Sequence, residues 1–116
     1  MELSVATRPG RASLVVQLHG VLDLATVTHA RDQLQQALDD DVRTIVLDLA
    51  EVRLIDSTAL GMIVQLHKDL LERGGRVCVA APRPIVRNVL LLTSVDRLVG
   101  MYDTVAAAEA DLPTDR

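Results

Sequence analysis

The sequence has few of the features that mark secreted or membrane proteins. Its one cysteine, Cys78, has no second cysteine in the chain to pair with, which favours a reduced, cytoplasmic setting. The apolar runs are only a few residues long, whereas a membrane-spanning helix needs about 20 apolar residues. The N-terminus shows no charged segment followed by an apolar block, so no export signal is expected. We therefore expect a cytoplasmic protein with no membrane partner.

Aromatic and basic residues are also scarce. Tyr102 is the only aromatic residue, the formal net charge is -4, and no run of lysine or arginine stands out. Proteins that bind nucleic acid usually carry a basic stripe, and those that bind single strands stack bases on aromatic rings. Because both features are missing, the partners are expected to be proteins and not nucleic acids.

Most signatures of enzymatic and metal chemistry are missing too. The sequence has no His-x-x-x-His or Cys-x-x-Cys pair, no calcium-binding loop and no Walker loop, the patterns that hold zinc, calcium and nucleotide phosphates. Three acids, Asp23, Asp48 and Asp56, could meet at strand ends, which keeps a magnesium site as a minor alternative. We expect no cofactor and no metal. Cys78 is interpreted as a small core residue in a strand, and His67 as a partly buried packing residue and not a contact residue for a partner.

What the sequence does contain is the composition and patterning of one folded domain. It has 116 residues, 49% of them hydrophobic and 24% charged, which is enough for a single core. Alternating and helical spacings of apolar residues predict the order β-β-α-β-α-β-α-β-α. The predicted strands are 3–6, 13–19, 44–49, 76–81 and 98–101, and the helices are 25–38, a stripe from Leu60 to Leu71, 85–92, and a last helix capped by Asp103 and ending at Ala110.

The connections between these elements follow from turn-forming residues. Turns are predicted at 8–11 and 20–23, a solvated acidic loop at 39–41, and a short connection at 50–53. Since strands and helices alternate after the first two strands, the sheet should be largely parallel. The expected fold class is α/β: a mixed, mostly parallel sheet of four to five strands with four helices. The domain is expected to span 1–111, followed by a flexible tail at 112–116.

The segment Leu54-Ile55-Asp56-Ser57-Thr58-Ala59-Leu60-Gly61 joins a predicted strand to a predicted helix. A catalytic serine is disfavoured, because the nucleophile elbow Gly-x-Ser-x-Gly is absent. His67 lies ten residues along the same helix, roughly 15 Å away at about 1.5 Å per residue. Asp56 or Ser57 could instead cap the helix. Alternatively, Ser57 could accept a phosphate, whose negative charge a helix N-terminus tolerates. The residues alone leave both interpretations open.

Residues 46–61 resemble the signature of STAS domains, in particular the bacterial anti-sigma factor antagonists. Residues 20–23, 74–75 and 92–98 match the same family, so the resemblance extends over nearly the whole chain. It implies a non-enzymatic protein whose unphosphorylated form binds an anti-sigma factor with serine kinase activity and so frees a sigma factor. Phosphorylation would switch this binding off, and a separate phosphatase would restore it. ATP and magnesium would belong to the kinase.

The resemblance also implies roles for individual residues. Ser57 would be the phosphoacceptor, and Asp56 would orient its hydroxyl for the kinase. The partner-binding set would be Asp23, Asp56, Ser57, Thr58, Gly61 and Met62. The alternative within the same fold is a constitutive scaffold subunit of a transport ATPase or a stress-signalling complex. The oligomeric state is left open between a monomer and a weak dimer.

Four residues depart from the usual family pattern. Ala59 and Ser94 stand where glycine is frequent, Val21 replaces a commonly acidic residue, and Leu91 falls where a polar residue is usual. We expect Ala59 to stiffen the start of the helix and to alter the approach of a partner's backbone. Val21 would remove one charge beside the site. Leu91 is interpreted as an extra apolar contact patch, or else as an ordinary buried or exposed leucine.

Overall fold

The strands form one mixed sheet whose spatial order, β1-β2-β3-β4-β5, is also the chain order. The computed structural model describes residues 3–10, 13–38 and 41–112. The strands are β1 Leu3–Pro9, β2 Leu14–Leu22, β3 Thr44–Ile55, β4 Arg76–Ala80 and β5 Gly100–Tyr102. The helices are α1 Val27–Ala37, α2 Ser57–Leu71, α3 Pro84–Leu92 and α4 Val105–Ala110, with a 3-10 turn at Val95–Arg97. β1 is antiparallel to β2, and the other pairs are parallel, which confirms the predicted fold class.

The sheet buries both faces, as its aliphatic strands require. The larger core packs side chains of β2, β3 and β4 against α1, α2 and α3; its fully buried members include Leu18, Leu34, Leu47, Ile63 and Leu90. The smaller core, on the opposite face, packs Val15, Val46 and Cys78 against α4. Cys78 is thus a buried strand residue, as predicted, and burial raises the pKa of its thiol.

Three segments that the sequence predicted as connections belong, wholly or in part, to strands. β1 continues through Arg8 and Pro9, which pair with Val15 and Leu14. A proline is compatible with an edge strand, because the outer side of that strand has no neighbouring strand to which an N–H would donate. β2 continues through Leu22, so the predicted bend at 20–23 is wrong for most of its length. β3 runs on to Ile55 through the predicted connection at 50–53.

The C-terminal part also differs from the prediction. Thr104, and not Asp103, caps α4 by accepting a hydrogen bond from the Ala107 N–H. Leu112, predicted as the first residue of a tail, is buried in the smaller core at 6% exposure. The rest of that predicted tail, and residues 39 and 40 of the predicted acidic loop, lie outside the described residues.

Helix α2 is tied to the sheet at its C-terminal end. His67 is buried, and its Nδ1 accepts a hydrogen bond of 3.0 Å from the Val77 N–H of β4. Desolvation, with a smaller contribution from the Arg76 charge, lowers the pKa of His67. Gly74 has a φ of +80°, and the N–H groups of Gly74 and Gly75 return to the carbonyls of Leu71 and Leu70, a Schellman ending. The prediction of a buried packing histidine is confirmed.

Candidate functional site

The exposed hydroxyl of Ser57 stands where β3 passes directly into α2. Asp56 is the only residue between the strand and the helix. Its backbone is extended, and its Oδ1 accepts a hydrogen bond of 3.0 Å from the Ala59 N–H, so Asp56 is the helix cap. Ser57 is therefore the first residue of α2 and is exposed, while Thr58 beside it is half-buried. Of the two predicted cap candidates, the structure selects Asp56.

Asp56 makes two further contacts, one to Leu24 in the loop between β2 and α1 and one to Leu22, the last residue of β2. Its Oδ2 accepts a hydrogen bond of 3.1 Å from the Leu24 N–H, and its own N–H donates to the Leu22 carbonyl at 3.0 Å. One residue thus joins the start of α2 to a loop 32 positions earlier in the chain. Leu24 itself is 72% exposed, and sequence reasoning missed it, because nothing local to Leu24 marks that contact.

Asp23 stabilises the same loop from within. Its Oδ1 accepts hydrogen bonds from the N–H groups of Ala25 and Thr26, at 3.0 and 3.1 Å. The Thr26 hydroxyl in turn accepts from the Asp23 N–H and donates to the Val21 carbonyl at 2.7 Å. Asp23 is half-buried and is adjacent in the chain to Leu24, which contacts Asp56. The structure therefore places Asp23 beside the motif, with its carboxylate engaged in its own turn.

Gly61 and Met62 lie one turn further along α2, at a groove between α1 and α2. The groove has a volume of about 280 Å³, and it is lined by Arg31, Leu34, Gln35, Thr58, Gly61, Met62, Gln65, Leu66 and Asp69. Gly61 is exposed, and a Cβ placed on it would meet nothing within 4 Å. Met62 is buried at 5% exposure and forms part of the groove wall. Asp56, Ser57, Thr58, Gly61 and Met62 thus follow one another along the start of α2.

Of the three acids considered for a magnesium site, Asp48 lies away from Asp23 and Asp56. Asp48 sits in the interior of β3, in register with Gln17 and Ala80, and its Oδ1 accepts from the Ala50 N–H. It lies eight positions before Asp56 along the strand, roughly 26 Å at about 3.3 Å per residue. Among residues 3–10, 13–38 and 41–112, no cluster of three metal-ligating side chains occurs.

The histidines likewise do not assemble around Ser57. His67 is engaged with Val77 near the far end of α2. His19 and His29 line a different cavity, of about 460 Å³, together with Arg53 and with Ala25 and Thr26, which precede α1. Ser57 itself is exposed at the N-terminus of α2.

The structure locates the four residues that depart from the family pattern. Ala59 is fully buried, so its methyl group faces the core; its expected effect on the approach of a partner's backbone stays a prediction. Val21 is also buried, at 4% exposure. Ser94 has a φ of 62°, the left-handed conformation that favours glycine. Leu91 is 43% exposed and Leu92 is 85% exposed, which rules out ordinary burial of Leu91 and leaves its role as a contact residue a hypothesis.

Comparison with known proteins identifies the family of this chain. A model of the STAS domain family matches residues 3–108. The anti-sigma F factor antagonist of Paenibacillus polymyxa is 29% identical over 113 residues, covering 97% of both chains. A Thermotoga maritima protein, provisionally named an anti-sigma factor antagonist, is 39% identical over 71 residues, or 61% of this chain. That match covers 63% of the Thermotoga protein, less than two thirds of its length.

The fold also matches that of a protein whose structure has been solved in two forms. The unphosphorylated form of the anti-sigma factor antagonist SpoIIAA aligns with a TM-score of 0.76 at 24% identity, covering 91% of this chain and 93% of SpoIIAA. Its phosphorylated form, from Bacillus, aligns with a TM-score of 0.69 at 23% identity, covering 92% and 97%. At such identities the likeness establishes the fold alone. No helix in the described ranges is long and apolar enough to cross a membrane. Because the family model spans nearly all of the chain, this protein belongs to the STAS domain family.

Proposed function

We propose that this protein is a cytoplasmic, non-enzymatic anti-sigma factor antagonist controlled by phosphorylation of Ser57. Its unphosphorylated form binds an anti-sigma factor that is also a serine kinase, and this binding frees a sigma factor. The observation that carries the proposal is the exposed Ser57 hydroxyl at the first position of α2, behind the Asp56 cap. The names of the Paenibacillus and Thermotoga relatives support the same role.

The position of Ser57 suits a reversible charge switch. A phosphate adds about -1.5 to -2 charges at neutral pH, and the positive end of the helix dipole and the free N–H groups of the first turn favour an anion there. Ser57 is exposed, so the phosphate displaces no core side chain. We therefore expect the fold to survive phosphorylation while the surface presented to the partner changes strongly.

The partner would lie over the start of α2 and the groove beside it. The groove combines apolar walls from Leu34, Met62 and Leu66 with polar groups from Arg31 and Asp69. Such a surface can bury apolar side chains of a partner and orient them with charged contacts at the edge. A phosphate on Ser57 would meet the same partner at close range, and an unpaired charge in that interface would oppose binding. ATP and magnesium belong to the kinase, and a separate phosphatase resets Ser57.

A capture experiment from the protein's own cytoplasm tests this proposal. The wild type, Ser57→Asp and Ser94→Asp are immobilised, and bound proteins are identified by mass spectrometry. Ser94→Asp is the matched control, because it adds the same charge to another exposed serine. We expect a kinase-like protein bound by the wild type and Ser94→Asp and lost with Ser57→Asp. A transport ATPase or stress-signalling assembly retained by all three baits would favour the constitutive scaffold instead.

A further inference from the structure

We infer that Asp56 is a positioning residue that holds Leu24 beside Ser57, and that Leu24 is an apolar anchor for the anti-sigma partner. This inference rests on the proposed function and names a residue of the partner surface that the signature motif does not contain. It assigns Asp56 a role beyond capping α2.

The hydrogen bonds of Asp56 separate these two roles. Capping α2 requires only the bond from the Ala59 N–H to Oδ1. The bond from the Leu24 N–H to Oδ2 contributes nothing to the helix. It joins two segments that are far apart in sequence, and the Asp56 N–H reinforces it by donating to the Leu22 carbonyl. The two carboxylate oxygens therefore serve two different elements.

The loop that carries Leu24 has an internal structure of its own. Asp23 accepts from Ala25 and Thr26, and the Thr26 hydroxyl donates to Val21. These bonds determine the conformation of the turn, whereas the Asp56 carboxylate determines where that turn lies relative to the start of α2. Loss of the Asp56 contact should therefore displace Leu24 without unfolding the loop.

Leu24 is placed to be buried by a partner and not by this chain. It is 72% exposed, and among the large apolar residues only Leu92 is more exposed in the described ranges. Its N–H is bonded to the residue that immediately precedes Ser57. A partner that covers the Ser57 hydroxyl must approach within reach of this leucine, so a partner with an apolar socket beside its catalytic site is the chemistry that fits. Apolar anchors that enter such sockets carry much of the energy of protein interfaces.

Asp56→Asn separates the two hydrogen bonds. Asparagine caps helices about as well as aspartate, and its Oδ1 can still accept from the Ala59 N–H. Its amide NH₂ group replaces Oδ2, and an NH₂ group cannot accept from the Leu24 N–H. Hydrogen exchange followed by NMR should therefore show faster exchange at the Leu24 amide and unchanged exchange at the Ala59 amide. Unchanged exchange at Leu24 would overturn the positioning role.

A double-mutant cycle on the affinity for the captured kinase tests the link to binding. Leu24→Ala and Asp56→Asn should each weaken the complex about tenfold, which corresponds to about 1.4 kcal/mol. The double variant should also be weakened only about tenfold, because a displaced Leu24 has no contact left to lose. Effects that multiply to about a hundredfold would overturn the inference.

Leu71→Ala is the matched control for this cycle. Leu71 is 54% exposed at the far end of α2, and its variant should bind as the wild type does. If Leu24→Ala binds as tightly as the wild type while Ser57→Asp does not bind, the inference fails and the proposed function stands. If the wild type captures no partner that Ser57→Asp loses, the proposed function fails, and the role of Leu24 as an anchor fails with it.

Discussion

Replacing His67 by leucine would remove the acceptor of the Val77 N–H inside the larger core. The bond is 3.0 Å long and joins α2 to β4, and His67 is only 8% exposed. A buried N–H left without a partner costs about 1–3 kcal/mol. Since a change of 1 kcal/mol moves the melting temperature of a domain of this size by roughly 3–6 °C, His67→Leu should lower it by about 3–18 °C.

The matched variant is His67→Asn, whose Oδ1 can occupy a place close to that of the imidazole Nδ1 and accept from Val77. The free energy of unfolding of both variants, measured by urea denaturation at pH 8, should fall in the order wild type, His67→Asn, His67→Leu. Equal stabilities of the two variants would refute the argument that the Val77 bond, and not the volume of the side chain, is what matters.

The same histidine predicts a dependence on pH. The pKa of His67 is lowered in the folded state by desolvation and by Arg76, so the unfolded chain binds a proton more readily than the folded chain. Its contribution to stability is therefore intact above the ordinary histidine pKa of about 6.5 and is lost as the pH falls below it. Between pH 8 and pH 5.5 the wild type should lose more stability than His67→Asn; equal losses would contradict the assignment.

Three glycine-related predictions concern backbone and groove. Gly75→Ala should destabilise the fold by about 1–3 kcal/mol, because a Cβ there would lie 1.3 Å from the Arg43 carbonyl oxygen; an unchanged denaturation midpoint would contradict this close approach. Ser94→Gly should raise the free energy of unfolding by up to about 1 kcal/mol in the same assay, because glycine adopts the left-handed backbone conformation of residue 94 without strain. A loss of stability would show that this conformation carries no strain. Gly61→Gln should keep or raise the melting temperature, since a helical glycine costs about 1 kcal/mol and a Cβ at this position meets no atom within 4 Å. The same variant should weaken capture of the partner. Full capture would place the partner away from the α1–α2 groove.

Local patterns predicted the parts of the fold that local chemistry determines. The apolar stripe of α2 and its ending at Gly74 follow from residues close in sequence, and so does a capped start, for which the sequence left Asp56 and Ser57 as alternatives. The extent of β3 does not, because residues 50–53 were predicted as a connection, whereas Glu51 and Val52 pair with His19 and Gly20 of β2. Hydrogen bonding to a strand distant in sequence makes such residues part of a sheet, which their own propensities do not predict.

The candidate site was predictable to the same degree. Asp56 and Ser57 lie within one short segment, so the sequence could place both at the start of α2, and the structure was needed to show which of them is the cap. The contact between Asp56 and Leu24 spans 32 positions, and the burial of Leu112 depends on Val15 and Val46 far away in the chain. Neither has a local signal. The choice of Thr104 over Asp103 as cap was equally hidden, because both residues can cap and the backbone geometry decides.

The most direct measurement is the site of phosphate transfer. The captured kinase is incubated with the purified protein and Mg-ATP, the phosphorylated residue is identified by mass spectrometry, and the affinity of the phosphorylated form for the kinase is compared with that of the unmodified form. We predict a phosphate on Ser57, none on Ser57→Ala, and a more than tenfold loss of affinity, which is more than about 1.4 kcal/mol. A phosphate on another residue, or a form phosphorylated on Ser57 that binds as tightly as before, would contradict the account.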